Sequence, residues 1–189
     1  PLFPVEERSV QKSDVAGELA SPTQPFPVIP PPLYPNKFSS NDAWGADAAE
    51  REACKQRLAD LRYDGIFTPP SLKGTLIYPG YIGGVNWGSA SADPTHRIMV
   101  ANINNMAFWV RLIPRDQLSE QAAEIRKTYR DVEFARQNGT PYAMARGPVL
   151  SPKGSPCVPP PWGKTVAVDL NSGTIRWETP STLGFGGPI

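Results

Sequence analysis

The chain has 189 residues and a formal net charge of +1, from 19 basic and 18 acidic side chains. This length allows one domain with a real core, and the balanced charge argues against nucleic acid or an acidic membrane surface as the main partner. No apolar run approaches the roughly 20 residues of a membrane helix. Proline accounts for 23 residues, more than twice the roughly 5% of average proteins, so much of the backbone must be loop, turn or extended edge.

Cysteine and histidine are scarce: the chain has two cysteines, Cys54 and Cys157, and one histidine, His96. A zinc site built from these ligand types within this chain is therefore excluded. Two thiols allow one disulfide between Cys54 and Cys157, but a buried free thiol at Cys54 is the competing interpretation. Because the chain starts without Met or a signal peptide and stops without a polar tail, we expect it to be a segment of a longer protein.

Residues 1–41 are predicted to form a proline-rich extended loop, because SPTQPFPVIPPPLYP can be neither a helix nor a good central strand. Interleaved apolar side chains indicate that this loop lies against a larger body; they are Phe26, Val28, Ile29, Leu33 and Tyr34. The loop is therefore not expected to be a disordered linker.

A helix is predicted over residues 42–63, where apolar side chains recur at helical spacing. This stripe consists of Trp44, Ala48, Cys54, Leu58 and Leu61. Asn41 or Asp42 could cap its start.

Strands are predicted over residues 74–114, where GTLIYPG, RIMVANI and MAFWVRLI are short apolar runs separated by glycines and an Asp-Pro turn. A helical insertion is predicted over residues 115–138, with Asn138-Gly139 as its stop. Its apolar stripe consists of Leu118, Ala122, Ile125, Tyr129 and Val132. Its charges balance, as on a solvated helix face.

Residues 140–189 are predicted to form a loop followed by the hairpin AVDLNSGTIRW, with its turn at Asn171-Ser172-Gly173 and Gly173 at positive φ. A small Ala167 and a distant Trp177 allow the indole ring to lie flat on a neighbouring sheet, with its N–H bonded to a main-chain carbonyl. Radially stacked four-stranded sheets need such a contact to join one blade to the next.

AVDLNSGTIRW resembles the tryptophan-docking motif in the eight-bladed propellers of the pyrroloquinoline quinone (PQQ)-dependent dehydrogenases. Other segments resemble the membrane-bound glucose dehydrogenase branch of that family: SPTQPF, NDAWGA, LRYDGIFTPPSLKGTLIYPGYIGGVNWGSASADP, IMVANINNMAFWVRLIPRDQ, GTPYAM, LSPKGSPCVPPPWG and GGPI. The resemblance is weakest over residues 5–20 and 115–138. It implies a mainly β fold, in which residues 1–189 form about two blades from the C-terminal half of an eight-bladed propeller, with proline-rich loops and one or two inserted helices.

The resemblance also implies an oxidoreductase with PQQ and Ca²⁺ at the propeller centre. In this family an Asp acts as general base on a substrate hydroxyl, hydride passes to the C5 carbonyl of the quinone, and a Lys or Arg polarises that oxygen. The order of the resembling segments places the Asp and the Lys before Pro1. We therefore expect no catalytic residue and no metal ligand in this chain, and no dehydrogenase activity from the chain alone.

The implied substrate is a sugar or cyclic polyol, with glucose oxidised to gluconolactone as the first expectation. Electrons would pass to ubiquinone on the periplasmic side of the bacterial inner membrane, with a membrane region N-terminal to the propeller. Quinate, shikimate or another polyol is the alternative, because Asn86 stands where the glucose branch has an acidic residue and INNMAFW replaces a proline-containing stretch.

Asn102, in VANINN, lines up with the family Asn that donates a hydrogen bond to the quinone region of PQQ. A neutral amide donor suits an oxygen that develops negative charge. The competing interpretation is an Asn that closes a strand-end turn, for which Asn104 and Asn105 are also candidates.

Two weaker groups of cofactor contacts follow from the resemblance. Asn86 and Trp87 lie at a glycine-rich bend that could line the cofactor funnel, although a buried structural Trp is an equal alternative. Phe185, Gly186 and Gly187 fall where some relatives contact the edge of the PQQ ring, but those relatives have Trp or Leu before the glycines. His96 is interpreted as a solvated turn residue and Lys164 as a surface charge, neither with a catalytic role.

The alternative function is a non-catalytic β-propeller module that binds a partner through its proline-rich loops. Two blades without their ring would leave open sheet edges, which could pair with a second copy of the chain. A nucleotide or zinc enzyme has no supporting motif in the sequence.

Overall fold

The structure is a computed structural model that describes residues 4–82, 84, 85 and 90–181. Over these ranges the chain is mainly β, as predicted, and all strand pairs within its sheets are antiparallel. The strands and helices are β1 (Val5–Ser9), β2 (Thr23–Pro27), α1 (Ala48–Ala59), β3 (Thr75–Ile77), β4 (Ala90–Asp93), β5 (Ile98–Asn104), β6 (Phe108–Pro114), α2 (Leu118–Thr128), β7 (Glu133–Ala135), β8 (Tyr142–Pro148), β9 (Gly163–Asp169) and β10 (Ile175–Ser181).

Four strands form an up-and-down sheet in the order β4-β5-β9-β10, which we call the blade sheet. Side chains alternate between its two faces. One face buries Ala101, Ile103, Val166 and Val168 against Leu33 of the proline-rich segment. The other face, which we call the Asn102 face, carries the register-paired residues Ser91, Val100, Asn102, Thr165, Ala167, Trp177 and Thr179.

Residues 105–162, which we call the excursion, leave the blade sheet after β5 and return at β9. Their strands form a second four-stranded sheet with β3, in the order β3-β6-β8-β7. The chain thus has two four-stranded sheets, but only the blade sheet has the up-and-down order of a propeller blade. In the second sheet β8 lies beside β6, and β7 lies at the edge beyond β8.

The larger core lies between the second sheet and the two helices. Trp109 and Ile113 of β6 pack there with Leu58 of α1 and Ile125 of α2. A disulfide between Cys54 and Cys157 links α1 to the excursion, and both residues are fully buried. The alternative of a free buried thiol at Cys54 is therefore not what the structure shows.

The region 1–41 is not wholly a loop, because β1 and β2 pair from Val5 with Pro27 to Ser9 with Thr23. A two-stranded ribbon accommodates proline because each strand has one edge without a hydrogen-bonded neighbour. In the blade sheet, β4 and β10 are the edge strands. Pairing of such an edge with another copy stays a prediction.

The first helix is shorter than the predicted range 42–63 and starts later. Its N-cap is Asp47, whose carboxylate accepts a hydrogen bond from the Glu50 N–H at 2.9 Å. Asn41 and Asp42 belong instead to a short 3₁₀ turn, in which the Asp42 carboxylate accepts from the Ser39 N–H. The predicted cap was wrong because a second capping residue, Asp47, follows later in the sequence and has Glu50 three positions beyond it.

The predicted helical insertion 115–138 is also only partly helical. After a 3₁₀ turn, α2 ends at Thr128, well before Asn138-Gly139. Tyr129 turns to an extended backbone and packs on Trp109, with 4.5 Å between the ring centroids. Asp131 then adopts a positive φ of 54°, and the chain continues as β7. Within the described ranges, no helix has the length and apolar character of a membrane span.

Candidate functional site

Asn102 lies in β5, near the end at which the chain leaves the blade sheet. Its side chain is half-buried and faces Thr165, its register partner on β9. The Thr165 hydroxyl donates a hydrogen bond to Asn102 Oδ1 at 3.0 Å. Because the oxygen end of the amide faces Thr165, the N–H₂ end is directed away from β9. The Thr165 hydroxyl therefore fixes the orientation of the Asn102 amide.

The contacts that close the strand end are made by Asn104 and Asn105. The Asn104 backbone N–H and C=O both bond to Gly84, at 3.1 and 3.0 Å, and its side chain is almost fully buried. The Asn105 N–H donates to the Trp162 carbonyl at 2.8 Å, and its amide donates to the Pro161 carbonyl at 3.2 Å. Asn102 precedes these turn contacts and lies within the strand.

The other predicted cofactor contacts lie outside the described residues: Asn86, Trp87, Phe185, Gly186 and Gly187. Their role in cofactor binding stays a prediction. Two described residues near this stretch of sequence pair with β5. Gly84, before it, pairs with Asn104, and Ala90, after it, pairs with Ala101. These two pairs lie on either side of Asn102.

His96 lies in the turn between β4 and β5, where its side chain is 72% exposed and its Nδ1 atom is 2.6 Å from Asp93 Oδ2. This contact and the His96 N–H hold the pKa of Asp93 below its usual value. Lys164 is less exposed than predicted for a surface charge. Its side chain is only 16% exposed, and its ammonium group bonds to Glu178 at 2.7 Å. Lys164 pairs with Ile103, so it lies on the face opposite Asn102.

The hairpin of the AVDLNSGTIRW motif has the predicted turn, with Gly173 at a φ of 72°. Asp169, a residue without a predicted role, fixes this turn. Its carboxylate accepts from the N–H groups of Asn171 and Ser172, at 2.8 and 3.0 Å, and from the Arg176 guanidinium, at 2.8 and 3.0 Å. These donors, the backbone N–H groups first, lower the pKa of Asp169 to about 2. The sequence feature that points to this role is an Asp two residues before the turn.

Trp177 lies on the Asn102 face, beside Ala167, after an irregularity in the β9–β10 pairing at Arg176. Trp177 is 46% exposed, whereas Ala167 is fully buried. In the part of the chain that the structure describes, the ring is therefore not covered by a neighbouring sheet, and its N–H makes no hydrogen bond to a main-chain carbonyl.

The described residues contain no group of three or more His, Cys, Asp or Glu side chains that could hold a metal ion. Near the end of β5, the polar side chains on the Asn102 face include the Asn102 amide and the Thr165 hydroxyl, which are hydrogen-bonded to each other. PQQ is an ortho-quinone with carbonyl oxygens, which are acceptors, and the half-buried Asn102 amide therefore fits a contact to it.

An up-and-down sheet of four strands that ends in a hairpin of this type has the architecture of a β-propeller blade. A family model described as "PQQ: Glucose/ethanol/alcohol dehydrogenase, beta-propeller domain" matches residues 1–184. The chain belongs to this family of PQQ-dependent dehydrogenases.

Curated relatives cover the chain almost completely. It is 36% identical over 191 residues to a probable quinate dehydrogenase (quinone) of Xanthomonas campestris pv. juglandis, with 100% of the chain and 24% of the relative aligned. It is 33% identical over 192 residues to the quinate/shikimate dehydrogenase (quinone) of Acinetobacter baylyi, with the same coverage. It is 36% identical over 180 residues to the quinoprotein glucose dehydrogenase of Escherichia coli, with 94% of the chain and 22% of the relative aligned.

The chain thus spans about a quarter of the length of these relatives. No solved structure matches it.

Proposed function

We propose that this chain forms a blade and an attached excursion of a PQQ-dependent dehydrogenase that oxidises a hydroxyl group of a sugar or cyclic polyol. The family match over residues 1–184 carries this proposal. The names of the relatives, which include glucose, quinate and shikimate dehydrogenases, support the substrate class. When bound, PQQ supplies the quinone that accepts hydride from the substrate carbon.

Asn102 is the residue of this chain that we assign to the cofactor. Its amide N–H₂ binds and orients a quinone carbonyl, and a donor held in place before the reaction stabilises negative charge on that oxygen without reorganisation. Its half-buried position strengthens this hydrogen bond relative to one in water. Asn86, Trp87, Phe185, Gly186 and Gly187 are proposed as further contacts on the sequence resemblance alone.

We propose glucose, oxidised to gluconolactone, as the first substrate to test, and quinate or shikimate as the alternative. The E. coli relative supports glucose. The two quinate relatives and the neutral residue Asn86 support the alternative, because an acidic side chain at that place would repel the quinate carboxylate.

The proposed setting is the periplasmic side of the inner membrane, with ubiquinone as electron acceptor and Ca²⁺ beside PQQ. The names of two relatives include the word quinone, which supports a quinone such as ubiquinone as the electron acceptor. The Cys54–Cys157 disulfide supports an oxidising compartment, since disulfides persist there and are rare in reducing cytosol. Ca²⁺ ligands and the membrane anchor are proposed to be contributed by parts of the protein outside residues 1–189.

The test uses the full-length reading frame that encodes this chain, reconstituted with PQQ and Ca²⁺. Dye reduction is followed with glucose, quinate, shikimate and a set of polyols, for the wild type and for Asn102→Ala. Asn171→Ala is the matched control, because Asn171 is an exposed turn residue of the same sheet. We expect activity with one substrate class, at least about tenfold lower in Asn102→Ala and unchanged in Asn171→Ala.

Activity on none of these substrates, with PQQ not retained after gel filtration, would contradict the proposal. It would leave the non-catalytic propeller module as the remaining interpretation.

A further inference from the structure

We propose that Thr165 is a positioning residue that sets the orientation of the Asn102 amide toward the cofactor. This inference rests on the proposed contact between Asn102 and PQQ. The observation behind it is the 3.0 Å hydrogen bond from the Thr165 hydroxyl to Asn102 Oδ1. No sequence motif points to Thr165, because it lies more than sixty positions from Asn102 and meets it only through the β5–β9 register.

The two ends of an asparagine amide have opposite hydrogen-bonding character. The oxygen accepts and the N–H₂ group donates, so a half-turn about the last side-chain bond would replace a donor by an acceptor. An acceptor turned toward a quinone carbonyl would repel it. A hydroxyl that donates to Oδ1 stabilises the orientation in which the N–H₂ group is directed away from β9.

Thr165 is held firmly enough to fix its partner. Both β5 and β9 are central strands of the blade sheet, with β4 and β10 on their outer sides. A β-branched side chain on a strand has few χ1 positions, so the hydroxyl remains opposite Asn102. Both side chains are half-buried, which limits competition from water for this hydrogen bond.

A purely structural explanation is that Thr165 and Asn102 form a polar cross-strand pair that stabilises the sheet. Thr165→Val separates the two explanations. Valine has nearly the same shape and favours strands, so the fold should be retained while the donor is lost. Thr165→Ser keeps the donor. Thr179→Val is the matched control, since Thr179 is exposed on the same face and pairs with Thr165 from the next strand out.

The experiment measures the dissociation constant of PQQ for the full-length apoprotein by fluorescence titration in the presence of Ca²⁺, with thermal melting of each variant. We expect Thr165→Val to raise Kd by roughly 3- to 10-fold, the range of one hydrogen bond. Thr165→Ser and Thr179→Val should bind as the wild type does, with melting temperatures unchanged. Asn102→Ala should raise Kd at least as much, and adding Thr165→Val to it should cause no further rise.

The arms distinguish failure of this inference from failure of the proposed function. If Asn102→Ala weakens binding and Thr165→Val does not, the positioning role is overturned and the Asn102 contact stands. The positioning role is also overturned if Thr165→Val still raises Kd when Asn102 is already alanine. It is likewise overturned if Thr165→Val lowers the melting temperature and Thr165→Ser does not restore the wild-type Kd. If neither single variant changes Kd, both the positioning role and the Asn102 contact are wrong.

Discussion

Replacing Cys54 and Cys157 together by alanine is expected to loosen the excursion from α1 while the blade sheet stays folded. The disulfide closes a loop with a sequence separation of 103 residues. In the chain-entropy model, a cross-link that closes a loop of this length restricts the unfolded chain and thereby stabilises the folded state by about 4.7 kcal/mol, and typical measured values are about 2–4 kcal/mol. Removing two sulfur atoms from fully buried positions adds a packing loss in the same direction.

Hydrogen exchange measured by mass spectrometry on the full-length protein gives the local effect. Since about 1.36 kcal/mol corresponds to a factor of ten, backbone amides of β6 and β8 should exchange between about 30-fold and a few thousandfold faster in the double variant. Amides of β1 and β2 lie outside the loop and serve as the control. An increase below about tenfold in β6 and β8 would refute the loop-closure reasoning, as would an equal increase in β1 and β2.

Three further predictions concern the hairpin and the start of α1. Because the pKa of Asp169 is lowered from 3.8 to about 2, its stabilising contribution is fully present above about pH 4 and is lost as pH falls toward 2. Acid unfolding of the wild type should show this loss of stability. An equally steep loss in Asp169→Asn would contradict the prediction. Gly45→Ala should destabilise by about 1–3 kcal/mol or more, because a Cβ atom there would stand 2.2 Å from the Arg51 backbone nitrogen; an unchanged urea midpoint would exclude this clash. Ser151→Ala should cost about 1–3 kcal/mol, because its hydroxyl donates at 2.8 Å to the buried Glu50 carboxylate; a loss below about 0.5 kcal/mol in urea unfolding would argue against that role.

Local sequence patterns predicted local structure well. The turn at Asn171-Ser172-Gly173 follows from residues that favour positive φ, and it forms where expected. The apolar stripe predicted for the first helix is confirmed at Cys54 and Leu58, both of which are buried. Its start was wrong, although Asp47 followed by Glu50 is the spacing of a capping box.

Long-range pairing could not be predicted from local patterns. The neighbour of β5 is β9, across the whole excursion, and this pairing depends on packing that no sequence window contains. The same limit applies to the site. Asn102 was selected by resemblance, but its partner Thr165 and the Asp169–Arg176 contact depend on the register of strands and on a turn geometry.

The excursion begins and ends at nearly the same point, because the Asn105 N–H donates to the Trp162 carbonyl at 2.8 Å. This contact has a consequence for the order of folding. Pairing β5 with β9 across a disordered loop of this length carries a large closure entropy, but an excursion that has already collapsed brings the two strands together at little further cost. We therefore expect the β6–β8 core to form before the β5–β9 ladder. Changes of length inside the excursion should then alter the folding rate of the blade far less than changes at its two ends.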